Sequence, residues 1–146
     1  MRNQLFTLLL TCALTLLAPA AERQHIVLPR PTGNTLPFSD AVRLGDTLYI
    51  SGNIGLDAAT KKPGATPEAE AKLVMESVKR ALDAAGMTMD DLVQVQVFCS
   101  DLSTYDAFNG VYRTYFHDKF PARAFVGAGS LLFGARYEVM GIAVKK

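Results

Sequence analysis

Tryptophan is absent from this chain of 146 residues, and cysteine and histidine occur only twice each. Two cysteines, Cys12 and Cys99, cannot build the disulfide framework of a small stapled domain. Two histidines with so few thiols match no metal-ligand spacing, so no metal is expected. Charge of one sign is lacking as well: fifteen Lys and Arg against fourteen Asp and Glu leave a formal +1. That balance offers no excess to draw in a phosphate backbone or an anionic lipid surface, and a nucleic-acid partner is not expected. There is no Gly-rich phosphate loop, and Ser51-Gly52 lacks the G-x-S-x-G frame of an acyl-transfer elbow. What is present, 49% hydrophobic and 20% charged residues, is a globular composition of a length that fits one domain.

The amino-terminal residues read differently from the rest. Behind Arg2, Leu5 to Leu17 is a charge-free apolar run that falls short of the ~20 residues of a membrane-spanning helix. It ends at Ala18 and Ala20, an A-x-A arrangement ahead of the first acid, Glu22. The pattern predicts a secretory signal peptide over residues 1–20, cut after Ala20 or Ala21. An extended lead over 21–35 and one domain over 36–146 follow. The expectation is a periplasmic or secreted protein with no stable membrane span after cleavage; anchoring through residues 5–17 is the alternative. Cleavage leaves Cys99, alternating with Val95 and Val97, as a buried structural cysteine.

In the remaining chain, Ala41 to Ser51 predicts two short strands around a Gly45-Asp46 turn. Asn53 to Gly64 reads as loop. Thr66-Pro67-Glu68 supplies a cap, a first-turn proline and an acid for a helix whose apolar positions run from Ala71 through Val74, Val78 and Leu82 to Ala85, with Gly86 as its stop. Val93, Val95, Val97 and Cys99 alternate with polar residues as a strand does. Ser103 or Thr104 is placed to cap a second helix, whose stripe of Phe108, Val111, Tyr112, Tyr115 and Phe116 reads as core. Ala124–Val126 and Tyr137–Val144 predict two closing strands. The order strand, strand, helix, strand, helix, strand, strand implies an α+β domain, a mixed sheet with two helices packed on one face. With no third helix, the other face is left for further copies of the chain.

Two charged residues stand in apolar strand contexts. Arg123 sits between Phe120-Pro121-Ala122 and Ala124-Phe125-Val126, and its planar fork suits a carboxylate. Glu138 shares its strand face with Met140, Ile142 and Val144. Two readings stay open: an ion pair tying strands or subunits together, or a ligand site in which the carboxylate transfers protons. His117, at the polar end of the second helix, reads as a surface or capping residue.

Leu36-Pro37-Phe38-Ser39-Asp40-Ala41-Val42, Gly45-Asp46, Ile50 to Gly55, Phe120-Pro121-Ala122-Arg123 and Glu138 to Ala143 occur in an order that resembles the RidA family, also called YjgF/YER057c/UK114. The resemblance runs from about Leu36 to the carboxyl end. It implies a chorismate-mutase-like fold and a homotrimer with sites in the clefts between subunits. It implies no cofactor, and hydrolytic deamination of reactive 2-enamino and 2-imino acids such as 2-aminoacrylate, a C–N hydrolysis of the EC 3.5.99 type. Carried over residue by residue, Arg123 binds the substrate carboxylate and Glu138 places the attacking water, while Ser51 and Asn109 line or support the cleft. Phe38 and Phe125 stand where the best-known deaminases have tyrosine and cysteine. The rivals are a trimer that binds small carboxylates without turning them over, and an RNA-cleaving relative.

Overall fold

A computed structural model describes residues 22–30, 36–117 and 119–146. Six strands form one sheet in the order β1-β2-β3-β6-β4-β5: β1 (Arg23–Ile26), β2 (Ala41–Leu44), β3 (Thr47–Ile54), β4 (Leu92–Cys99), β5 (Ala122–Gly127) and β6 (Tyr137–Val144). The helices α1 (Pro67–Ala84) and α2 (Tyr105–Tyr112) pack against each other and against one face of the sheet. The α+β expectation holds. The closing strand is inserted between β3 and β4, antiparallel to both, while α2 connects the parallel pair β4 and β5.

Local chemistry explains the elements. Gly45, at φ 59°, lets β2 turn back into β3 at little steric cost. Thr66 Oγ1 accepts a bond from Ala69 N at 3.2 Å, and Pro67 opens α1. Gly86, at φ 67°, ends the helix, with its N–H and that of Met87 returning to the carbonyls of Asp83 and Leu82. The buried face of α1, including Ala71, Val74, Val78 and Leu82, meets Leu48, Ile50, Val95, Val97, Val139 and Ala143 in a single core. Cys99 lies in that core, free and buried, as expected.

Three departures have physical reasons. The lead segment contributes β1, which pairs with β2 along Arg23–Ile26, since backbone donors along an open sheet edge favour another strand. The turn before α2 is capped by Asp101, whose carboxylate accepts from Ser103 N at 3.0 Å, and Thr104 makes no side-chain cap. The helix itself ends at Tyr112 and tightens into a 3-10 turn, so Phe116 only leans on the core.

The expectation of a periplasmic, secreted or membrane-anchored protein is corrected. No helix among the described residues is long and apolar enough to cross a membrane. The run over residues 5–17 and the cleavage pattern at residue 20 lie outside the described residues. An apolar run flanked by small residues is a compositional pattern with no fold requirement behind it, and neither export nor an anchor finds support in the structure.

Candidate functional site

Arg123 lies where β5 meets α2. Pairing with β4 sets it opposite Val95, and strand alternation turns Arg123 and Phe125 toward the helix while Ala122, Ala124 and Val126 turn away. Nη2 donates to Asn109 Oδ1 at 2.7 Å. The guanidinium carbon sits 4.5 Å from the ring centroid of Tyr112, 5.6 Å from that of Phe125 and 6.0 Å from that of Tyr105. Ring faces attract a cation without cancelling its charge. Nη1 is buried and has no hydrogen-bond partner. A buried guanidinium donor left open invites an anion, and a carboxylate fits its fork. Asn109, Tyr112, Phe120 and Pro121 wall the recess.

Glu138 lies in a different recess, lined by Arg30, Phe38, Ser51, Gly52 and Phe133 among others. Its carboxylate rests against Gly52, where any Cβ would collide with Oε1, so this glycine is the space the carboxylate occupies. The Ser51 hydroxyl is already engaged: it bonds Ser39 O, and Asp40 O at 2.9 Å. Ser51 therefore fastens the segment that carries Phe38 rather than offering a free nucleophile. An ion pair of Asp40 with Arg30 at 2.8 Å holds the same segment from behind. The rim is apolar and open, with Phe38 51% and Phe133 69% exposed. Phe133 has φ 60°, a left-handed conformation in the loop before β6 that is uncommon for a bulky residue.

The two recesses lie on opposite faces of the sheet. Tyr137, Val139 and Ala143 of β6 enter the core beneath the helices, so Glu138, alternating with them, points to the uncovered face, whereas Arg123 reaches α2. Of the predicted site residues, the fold gathers Arg123, Asn109 and Phe125 in one place and Glu138, Ser51 and Phe38 in another. An ion pair between Arg123 and Glu138 is not formed within one chain.

Three contributors escaped the sequence reading. Tyr112 was assigned to the core stripe, and its ring is indeed buried. Its hydroxyl, however, is the other buried side-chain polar atom left without a partner among the described residues. Burial pushes the phenol up to about 12, with Arg123 pulling the other way, so it is protonated at neutral pH. Gly52 was visible only as part of a motif. Glu70 is fully buried, and its Oε1 accepts from Arg136 N at 2.5 Å and Tyr137 N at 3.1 Å while Oε2 pairs with Arg136 Nη1 at 2.7 Å. A buried carboxylate is tolerable only with such partners, and here they pin the residues immediately before Glu138. Gly55 and Gly64 have no Cβ, which lets the backbone of Glu70 approach closely. The available signal was an acid one turn before Val74 on the buried face of α1.

The family model described as Endoribonuclease L-PSP matches residues 30–145. A Dermatophagoides farinae protein named 2-iminobutanoate/2-iminopropanoate deaminase is 36% identical over 117 residues, covering 80% of this chain and 89% of its own. A Capra hircus protein of the same name is 39% identical over 111 residues, covering 75% and 80%. Among solved structures, the YjgF gene product from E. coli superposes with a TM-score of 0.73 at 30% identity, covering 77% of this chain and 91% of that one.

Proposed function

The chain belongs to the Endoribonuclease L-PSP family, the RidA family of the sequence resemblance, and from that premise we propose that it hydrolyses 2-imino and 2-enamino acids to 2-oxo acids and ammonia. An enamine first tautomerises to the imine, a proton moving from nitrogen to carbon. Arg123 holds the carboxylate through Nη1, and Asn109 fixes the guanidinium from behind. Glu138 accepts a proton from water as the water oxygen bonds to the C=N carbon, and the nitrogen takes up a proton. Glu138 returns its proton to the nitrogen of the tetrahedral amino alcohol, and as the hydroxyl releases its proton to solvent the C–N bond breaks, ammonia leaves and the 2-oxo acid remains. One water is consumed and no electrons are transferred. Positioning of substrate and water accounts for most of the expected rate gain.

Because Arg123 and Glu138 face opposite sides of one chain's sheet, a complete site takes Arg123 from one copy and Glu138 from another. A homotrimer closes such a head-to-tail arrangement into three equivalent clefts. The uncovered sheet face, with Tyr49, Val126, Met140 and Val144 exposed, is the apolar surface those copies would bury. In the composite site, Phe38 and Phe125 approach the substrate from different copies.

The observation that carries the reading is the buried Nη1 without a partner, set in an aromatic nest. RNA cleavage, which the family description names, is less well supported, since a formal charge of +1 gives no field for a polyanion. The test generates 2-iminopropanoate or 2-iminobutanoate in place with an amino-acid oxidase and follows its disappearance. The wild type accelerates hydrolysis, and Arg123→Ala returns it to the uncatalysed rate. Equal rates for the two proteins would overturn the enzyme reading, and saturable binding of 2-oxobutanoate without hydrolysis would replace it with a carboxylate-binding role.

A further inference from the structure

We infer that the Tyr112 hydroxyl is a second ligand for the substrate carboxylate, forming with Arg123 Nη1 a two-point clamp in which each group takes one carboxylate oxygen. The inference rests on the proposed substrate class and adds a binding residue to it. Its basis is a coincidence of unmet hydrogen bonds. Among the described residues, only Tyr112 Oη and Arg123 Nη1 are buried side-chain polar atoms without a partner, and both residues line the same recess. Two orphaned donors far apart would be two separate costs. Two against one cavity, with the guanidinium carbon 4.5 Å above the tyrosine ring, describe the complement of a ligand with two adjacent acceptors.

The surroundings narrow that ligand. The guanidinium only donates and repels a cation, so an ammonium is disfavoured there, while the phenol can donate alongside it. Asn109 takes one N–H of Nη2, Nη1 has no partner, and the phenol supplies a further bond that a carboxylate accepts. The phenol stays protonated well above neutral pH because of its burial. The tyrosine ring is independently fixed, stacking at 5.8 Å on Phe108 and at 6.2 Å on Phe120, so the hydroxyl is held in place before the ligand arrives. Phe120 is 54% exposed and forms the outer wall of the recess. The other tyrosine of the stripe makes the contrast: Tyr115 Oη donates to Glu76 Oε1 at 2.7 Å and is satisfied within the protein.

The test compares Tyr112→Phe with Tyr115→Phe, two substitutions that each remove one hydroxyl and keep the ring. Calorimetric titration with 2-oxobutanoate, a stable 2-oxo acid, should show binding about tenfold weaker in Tyr112→Phe, the loss of one bond to a charged group. KM for the imine should rise by a similar factor, and Tyr115→Phe should bind within about twofold of wild type. Binding by Tyr112→Phe within twofold of wild type overturns the inference, as does a change confined to subunit association. If Tyr112→Phe also lowers the melting temperature, 2-oxobutanamide decides: a loss specific to the carboxylate supports the clamp, and an equal loss for the amide overturns it. The two readings fail separately. A wild type that binds 2-oxobutanoate through Tyr112 yet does not hydrolyse imines loses the deaminase assignment and keeps the clamp.

Discussion

The recess around Arg123 and the recess around Glu138 are built on opposite principles. The first is small and preassembled: one side-chain amide and three aromatic rings fix a guanidinium whose Nη1 is buried and without a partner. The second is wide and apolar at its rim; of its two acids, Asp40 is paired with Arg30 and Glu138 is placed by the backbone, through the missing side chain of Gly52 and the anchored start of β6. The first half presents an unpaired cationic donor. The second half holds Glu138, and its one lining cation, Arg30, is already paired with Asp40; under the proposed chemistry both halves are needed, and the sheet lies between them within one chain.

Mixing inactive subunits should give the largest effect. Arg123→Ala and Glu138→Gln should each lower kcat/KM by about 100-fold or more. Refolded together in equal amounts, they should recover about a quarter of wild-type activity, since random assortment leaves that fraction of head-to-tail clefts with both groups intact. No recovery, with mixed oligomers present by native mass spectrometry, would break the comparison and place the site within one chain.

Glu70 should separate the halves by stability and by which half suffers. Glu70→Leu strands the Arg136 guanidinium and two backbone N–H groups, and should cost about 3 kcal/mol in urea unfolding. Glu70→Gln keeps an acceptor for those N–H groups and should cost about 1 kcal/mol. In the folded Gln variant, imine hydrolysis, which depends on Glu138, should fall more than 2-oxobutanoate binding at Arg123. Equal losses would mean that the two recesses are not independent.

The smallest effect is alkaline. The folded-state pKa of Tyr112 is raised, to about 12 from 10.0, so its contribution to stability is complete below pH 10 and is lost as the pH rises through about 12. From about pH 9 upward, the urea midpoint of the wild type should therefore decline more steeply than that of Tyr112→Phe. Parallel curves would show that the phenol is not shielded in the Arg123 recess.

Much of the fold was legible because the local signals agree. The Gly45 turn, the Thr66-Pro67 cap, the Gly86 stop and the alternation of β6 each fall where the sequence pattern puts them. In β4, Val95, Val97 and Cys99 do so too, whereas Val93 is exposed and Leu92 buried because the register shifts between Leu92 and Gln94. β1 was less legible, since four mostly exposed residues carry no apolar period and form a strand only because β2 offers an edge. Arg123 and Glu138 stood out as charges in apolar strands. Tyr112 did not, because a stripe that packs a core and a hydroxyl that awaits a ligand have the same spacing. Glu70 was hidden for a related reason: an acid in a first helical turn looks like a response to the helix dipole until its strand partners are in view.

By itself the sequence determined the element order, the apolar faces and the two charges to watch, since these depend on spacing of two or of three to four residues along the chain. Only the tertiary structure decided that Arg123 and Glu138 look away from each other. The face on which a strand side chain emerges depends on register across the sheet and on where the helices lie, and β6 takes its register from β3 and β4, which are remote from it in the chain.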